Sequence, residues 1–166
     1  RNSLPEQREA VRELRRGWLA KTDRPLIIFE NYPFTGRGVY LPIFVARTIG
    51  DSINATKGIS RGEDIWTSAP RYHDSPGMAF DHFQIYFTAR MYWGGTDQDP
   101  AALLDEYCRL LYGPASETMQ TFINYCERNW PDMEKDKVKV DKALALFDQA
   151  KTEVEPQSIA ARRLAP

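Results

Sequence analysis

Three carboxylates stand where acid–base chemistry can be done. Glu30 closes the apolar run Leu26-Ile27-Ile28-Phe29, and Glu63 and Asp64 sit side by side in a second short segment that ends near Trp66. Carboxyl groups held near one another can divide their roles: apolar walls raise the pKa of one, while the other stays ionised. The residues around them suit a ligand rich in hydroxyl groups. Asn31 can exchange hydrogen bonds with such a ligand. Tyr32, Trp66 and Tyr72 offer apolar faces with polar tips. His73 supplies an imidazole that can bind or shuttle a proton. Each has a plainer reading as well. Glu30 pairs with an arginine such as Arg61, Glu63 is solvated, the aromatics pack loops, and His73 is a surface histidine.

The elements that must position these groups follow from the hydropathy pattern. Residues 4–21 read as an amphipathic helix, with Leu4, Val11, Leu14 and Trp18 on one face and solvated arginines on the other. Leu26–Phe29 is continuously apolar, the pattern of a strand buried on both faces in a parallel sheet. The loop Thr35-Gly36-Arg37-Gly38 lacks the third glycine and the immediate helix of a dinucleotide site, and reads as a plain loop. Pro42 opens a helix carrying Phe44/Val45, Thr48/Ile49 and Ile53 in register, stopped at Gly58. A second strand spans Ile59 to Thr67. Ala79–Trp93 is apolar nearly all round and reads as a helix buried on several sides, with His82 on it and Arg90 satisfying a buried carboxylate.

Beyond residue 95 the strand signals stop. Asp99 caps and Pro100 opens a helix running to Tyr112. Ser116 caps the next, which Pro131 ends. A last helix covers 136–154, with Val140, Ala143/Leu144, Phe147, Ala150 and Val154 in register. The pattern predicts an α/β segment over 1–95 and a helical extension over 96–166.

Composition bounds the function classes. Among 166 residues, 22 basic and 23 acidic side chains leave a net charge of -1, so no global field exists to hold a polyanion, and nucleic acid is not an expected partner. No apolar run approaches the roughly 20 residues of a membrane span. The two histidines, His73 and His82, make no metal-ligand spacing with Cys108 and Cys126. The cysteines lie at unequal depths about the Gly113-Pro114 turn, so both thiols are expected to be free. The chain opens on Arg1, without an initiator methionine or a signal peptide, and is expected to begin inside a longer chain or after processing.

A run of residues brings in a resemblance. Ile85-Tyr86-Phe87-Thr88-Ala89-Arg90-Met91-Tyr92-Trp93, Asp99, and Leu104-Asp105-Glu106-Tyr107-Cys108-Arg109-Leu110-Leu111-Tyr112-Gly113-Pro114-Ala115 together resemble the C-terminal part of the domain-of-unknown-function family 4838. That family is bacterial and looks related to alpha-glucuronidases and other sugar-cleaving TIM barrels. Phe29-Glu30-Asn31-Tyr32-Pro33 also resembles a strand-end motif of family 84 hexosaminidases.

The resemblance implies an α/β fold: the last β/α units of a TIM-like barrel, followed by an all-α region, as a fragment of a larger protein. A complete barrel needs about 250 residues and eight strands. The implied activity is hydrolysis of glycosidic bonds with paired carboxylates. Glu30, Glu63 and Asp64 are then the catalytic candidates, and Asn31, Tyr32, Trp66, Tyr72 and His73 the substrate-binding ones. The implied setting is secreted or periplasmic. No metal or organic cofactor is expected. The expected partners are a glycan and either the remainder of the parent chain or a second copy, with no membrane and no nucleic acid. The competing expectation is a non-catalytic module that packs against a partner domain.

Overall fold

The computed structural model describes residues 5–30, 44–65, 77–94 and 97–165; the side chains of Glu30, Ile65 and residues 77–81 lie outside that description. In chain order the elements are α1 (Pro5–Leu19), β1 (Leu26–Glu30), α2 (Ala46–Thr56), β2 (Ser60–Ile65), α3 (Gly77–Trp93), α4 (Pro100–Tyr112), α5 (Ser116–Met133), α6 (Lys137–Thr152) and α7 (Ile159–Arg163). The protein is mostly helical with one small parallel sheet, and is α/β in that sense; no barrel is present among the described residues. It divides into two compact units. One comprises Arg1–Thr35 with Arg47–Gln98, the other Gly36–Ala46 with Asp99–Pro166.

In the first unit, β1 and β2 pair in parallel through the crossover helix α2. The register pairs Leu26 with Ser60 and then Ile27 with Gly62, so one residue, Arg61, is bulged out. Gly62 has φ +155°, a conformation L side chains rarely adopt, and it gives the bulge its local geometry. The Ser60 hydroxyl braces the same spot: its oxygen accepts from the Gly62 N–H at 3.1 Å and lies 2.7 Å from the Gly62 carbonyl oxygen.

The run expected to be buried on both faces is buried on one. Ile28 is 8% exposed, but Ile27 is 74% and Phe29 62% exposed. Two strands cover one face with helices and leave the other open, so the continuous apolar pattern is only half used.

α1 and α2 also depart from the expected faces. No residue of α1 is buried, and Leu14 and Trp18 are largely exposed. The arginine face, expected in solvent, lies along α2, whose facing residues Thr48, Ser52 and Ala55 are small. α2 itself begins at Ala46 rather than Pro42. Phe44 stays outside that helix and sets its ring edge-on to Phe122 at 5.8 Å in the second unit. Ile49 and Ile53 are buried in register as expected. In α3, Phe83, Phe87 and Met91 are fully buried, while His82 and Arg90 are exposed.

The second unit packs α4, α5, α6 and α7 around Leu103, Leu104, Tyr107, Cys108, Met119, Ile123 and Cys126. α4 begins as its sequence dictates: the Asp99 carboxylate accepts from the Ala101 N–H, and Pro100 fills a position that has no donor to lose. The Asp136 carboxylate caps α6 in the same way, accepting from Val138 and Lys139.

Two expectations are corrected at α5. Ser116 does not cap it, because Gly113–Ala115 forms a 3-10 turn that runs straight into the helix and makes Ser116 its first helical residue. Pro131 does not end it; the helix continues one short turn to Met133, which is 4% exposed. Burying that side chain stabilises by about 1.5–3 kcal/mol, similar in size to the cost of a proline in the helix.

α6, expected over 136–154, ends at Thr152; Leu144 on it is exposed, while Ala143 and Ala150, and Val154 just past its end, are buried. The short α7 had no forecast; the Ser158 hydroxyl caps it, and Arg163 Nη1 donates to the Leu110 and Leu111 carbonyls at the end of α4. Both cysteines are free and buried.

Candidate functional site

The site is built from the β1–α2–β2 unit. α2 reaches β2 through only residues 57–59, so its C-terminal end lies at the start of the strands and its N-terminal end at their finish. That arrangement brings the strands' C-terminal ends, where β/α proteins carry function, to Glu30 and Ile65.

The bulge at Arg61 decides which carboxylate meets which face. With it, Phe29 stands beside Asp64 and Ile28 beside Glu63. Neighbours in register share a face, and successive strand residues alternate. Asp64 therefore lies on the open face with Ile27 and Phe29, and it is exposed. Glu63 lies on the covered face with Ile28 and is half-buried. Its Oε1 is 3.2 Å from the Thr56 hydroxyl, which is also 2.9 Å from the Ile53 carbonyl oxygen and can donate to one of the two at a time. Glu63 is thus tied to the last turn of α2. The two carboxylates that are adjacent in sequence are separated by the sheet.

Glu30 is the final residue of β1, in register with Ile65 and one row beyond Phe29 and Asp64. Its backbone is described and its side chain is not. Asn31, Tyr32, Trp66, Tyr72 and His73 lie outside the described residues, as does the Gly36–Gly38 loop. Among the described residues no group of three or more His, Cys, Asp or Glu side chains could hold a metal ion, and no helix is long and apolar enough to cross a membrane.

Sequence reasoning missed two polar side chains on α3. Gln84 is wholly buried, with neither amide atom hydrogen-bonded, and Thr88, one turn on, is buried with its hydroxyl unpartnered. The signal was present: both are polar residues at i and i+4 within a helix apolar nearly all round. Asn54-Ala55-Thr56 has the spacing of a glycosylation sequon but lies inside α2, where Thr56 is buried and Asn54 Nδ2 donates to the Gln98 carbonyl at 3.2 Å.

Among the described residues, the groups strongly perturbed by burial lie in the second unit. Desolvation pushes the Cys108 and Cys126 thiols up to about 12, and it also raises the Tyr107 and Tyr112 phenols. Groups kept neutral in this way are core residues rather than nucleophiles.

No protein-family model, curated protein or solved structure matches the chain.

Proposed function

We propose that the chain is part of a β/α-type carbohydrate-active enzyme that hydrolyses glycosidic bonds, with further parallel strands completing a TIM-like barrel around β1 and β2. The observation that supports this most directly is the parallel β1–α2–β2 unit, whose strands end together at Glu30 and Ile65 with Asp64 one row before that end on the open face. Asp64 is exposed on the open face beside Phe29, and a further wall of the barrel over that face would give it the apolar surroundings that an acid–base carboxylate requires. Glu63, held by Thr56, acts as a tie between strand and helix rather than as a reacting group.

The exposed Ile27 and Phe29 favour a second reading, a module whose open face is covered by a partner domain without chemistry of its own. Turnover of aryl glycosides by the intact parent protein separates the two. Asp64→Asn and Glu30→Gln are each expected to lower turnover by roughly two to four orders of magnitude while glycan binding survives, the loss typical of a positioned acid–base group. Glu63→Gln is expected to act through stability. Unchanged turnover in both Asp64→Asn and Glu30→Gln would leave the module reading.

A further inference from the structure

A surface helix ordinarily turns its apolar stripe to the core, and α1 does the reverse. Its arginine side lies along α2, while Leu14 and Trp18 are 61% and 59% exposed. Gln7, Ala10, Gly17 and Lys21 beside them are exposed as well. Helical winding reaches as far as Lys21: the Ala20 N–H donates to the Arg16 carbonyl at 3.0 Å, and the Lys21 N–H to the Trp18 carbonyl at 2.9 Å. Gln7, Ala10, Leu14, Gly17 and Lys21 thus recur at alternating steps of three and four, the spacing that keeps one stripe turned toward a partner helix.

The stripe is complementary to itself in size. A two-fold axis at Leu14 sets a second copy of α1 antiparallel to the first, and Leu14 then meets Leu14 of the second copy. Gly17 and Trp18 come against Ala10 and Val11 of the second copy. The glycine and alanine share one edge of the stripe and let the two backbones approach closely. On the other edge the indole covers the valine. A Cβ added at Gly17 would meet nothing of its own chain within 4 Å, so that notch stands open.

The charges select the same arrangement. Glu6 lies in the first turn and Lys21 at the far end, both exposed. Antiparallel copies bring Lys21 of each opposite Glu6 and Gln7 of the other, once at either end of the seam. Parallel copies would set Glu6 beside Glu6 and Lys21 beside Lys21, and like charges brought together oppose association. The Glu6 and Lys21 side chains make no hydrogen bond or ion pair with the described residues, so pairing across copies displaces no such contact.

We propose that α1 is the seam of a homodimer: a second copy of this chain packs antiparallel along the Ala10–Leu14–Trp18 stripe, anchored by Leu14 and Trp18 and set in register by Glu6 and Lys21. Tryptophan is among the residues that most often anchor an interface. A seam of two short helices lies at the small end of specific interfaces, so the dimer is weak and reversible. It uses neither the candidate carboxylates nor the open face of β1, and it stands or falls apart from the glycosidase reading.

Sedimentation velocity of the full chain, from micromolar to millimolar concentration, tests it. A monomer–dimer equilibrium is expected. Leu14→Ser with Trp18→Ser should weaken it by about tenfold or more, the scale of losing interface anchors. Both side chains are largely in water in the single chain, so the variant keeps its fold, which an unaltered circular dichroism spectrum at low concentration checks. Gly17→Gln should raise helix propensity and still weaken association, because it fills the notch. Lys21→Glu should weaken association by setting like charges together, and adding Glu6→Lys should restore it, a rescue that a merely apolar contact would not give. Arg109→Gln, which removes an exposed partner of Asp105 on α4, should leave association unchanged. A chain that stays monomeric, association that survives the loss of Leu14 and Trp18, or association abolished instead by Ile27→Thr with Phe29→Thr would overturn the proposal. Failure of Glu6→Lys to rescue Lys21→Glu would overturn the antiparallel register.

Discussion

The two units use similar apolar residues in different ways. In the helical unit, Leu104, Cys108, Ile123, Cys126 and Ala150 are each at most 1% exposed. In the other, β1 leaves Ile27 and Phe29 mostly in water, and α1 buries nothing. A helix closes its own backbone hydrogen bonds and needs only one covered stripe, so four helices can satisfy one another. A parallel strand needs neighbours at its edges and cover on both faces, and a sheet of two strands supplies neither in full. The strand-bearing unit is therefore the one whose residues ask for more structure.

If that difference is real, truncation should be costly in the helical core. Ile123→Ala is expected to destabilise the protein by about 2–5 kcal/mol, the range for emptying a buried site of that size. Urea denaturation measures it. A loss below about 1 kcal/mol would mean that the helical core is not closed.

High pH probes the same core by charge. Cys108 and Cys126 titrate at about 12 when folded, against an ordinary value near 9 in the unfolded chain. The folded state holds its thiol protons longer. The stabilisation is thus complete below about pH 9 and is lost as pH climbs toward 12. At pH 10 the two thiols together should have removed about 3 kcal/mol relative to pH 7. Cys108→Ala with Cys126→Ala should remove most of that decline between pH 9 and 10, the buried tyrosines supplying the smaller remainder. The unfolded, unreduced wild-type chain should titrate both thiols.

On the other side of the comparison stands Gln84, a wholly buried amide with no partner on α3. Replacing it with an apolar group of like shape removes a desolvation cost of about 1–3 kcal/mol. Gln84→Met is expected to raise stability by an amount of that order, read as a higher urea midpoint at unchanged slope. A destabilised Gln84→Met would show that water or another polar group satisfies the amide.

What could be read from sequence follows the same division. The start of α4 was legible because Asp99-Pro100 is a local instruction, a carboxylate for the orphan N–H of Ala101 and a proline where no donor is needed. The start of α5 was misread because Ser116 carries the right side chain but not the extended backbone that capping requires. The parallel pairing of β1 and β2 followed from the order of elements. The bulge did not: it turns on Gly62 and on a register between residues far apart in sequence, and it decides which of Glu63 and Asp64 takes the open face. The face α1 turns inward was also illegible, since it depended on the small residues of α2 that it meets.

The smallest expected effect tests the open face directly. Ile27→Thr and Phe29→Thr leave strand propensity high and remove apolar surface that is already in water. If nothing covers the face, the double variant changes the stability of the chain by no more than about 0.5 kcal/mol, as surface substitutions do. Its light scattering should rise less with concentration than that of the parent sequence, because the exposed patch has gone. If a second copy covers the face, stability of the unaltered chain grows with protein concentration, since association draws on the folded state alone. The variant would then lose that concentration dependence and fall well beyond 0.5 kcal/mol at high concentration. Ile28→Thr is the internal control. It sits between the two on the same strand but faces the covered side at 8% exposure, and putting a hydroxyl there should cost more than both outer substitutions together. Equal costs at Ile27, Ile28 and Phe29 would mean that both faces of β1 are covered in solution.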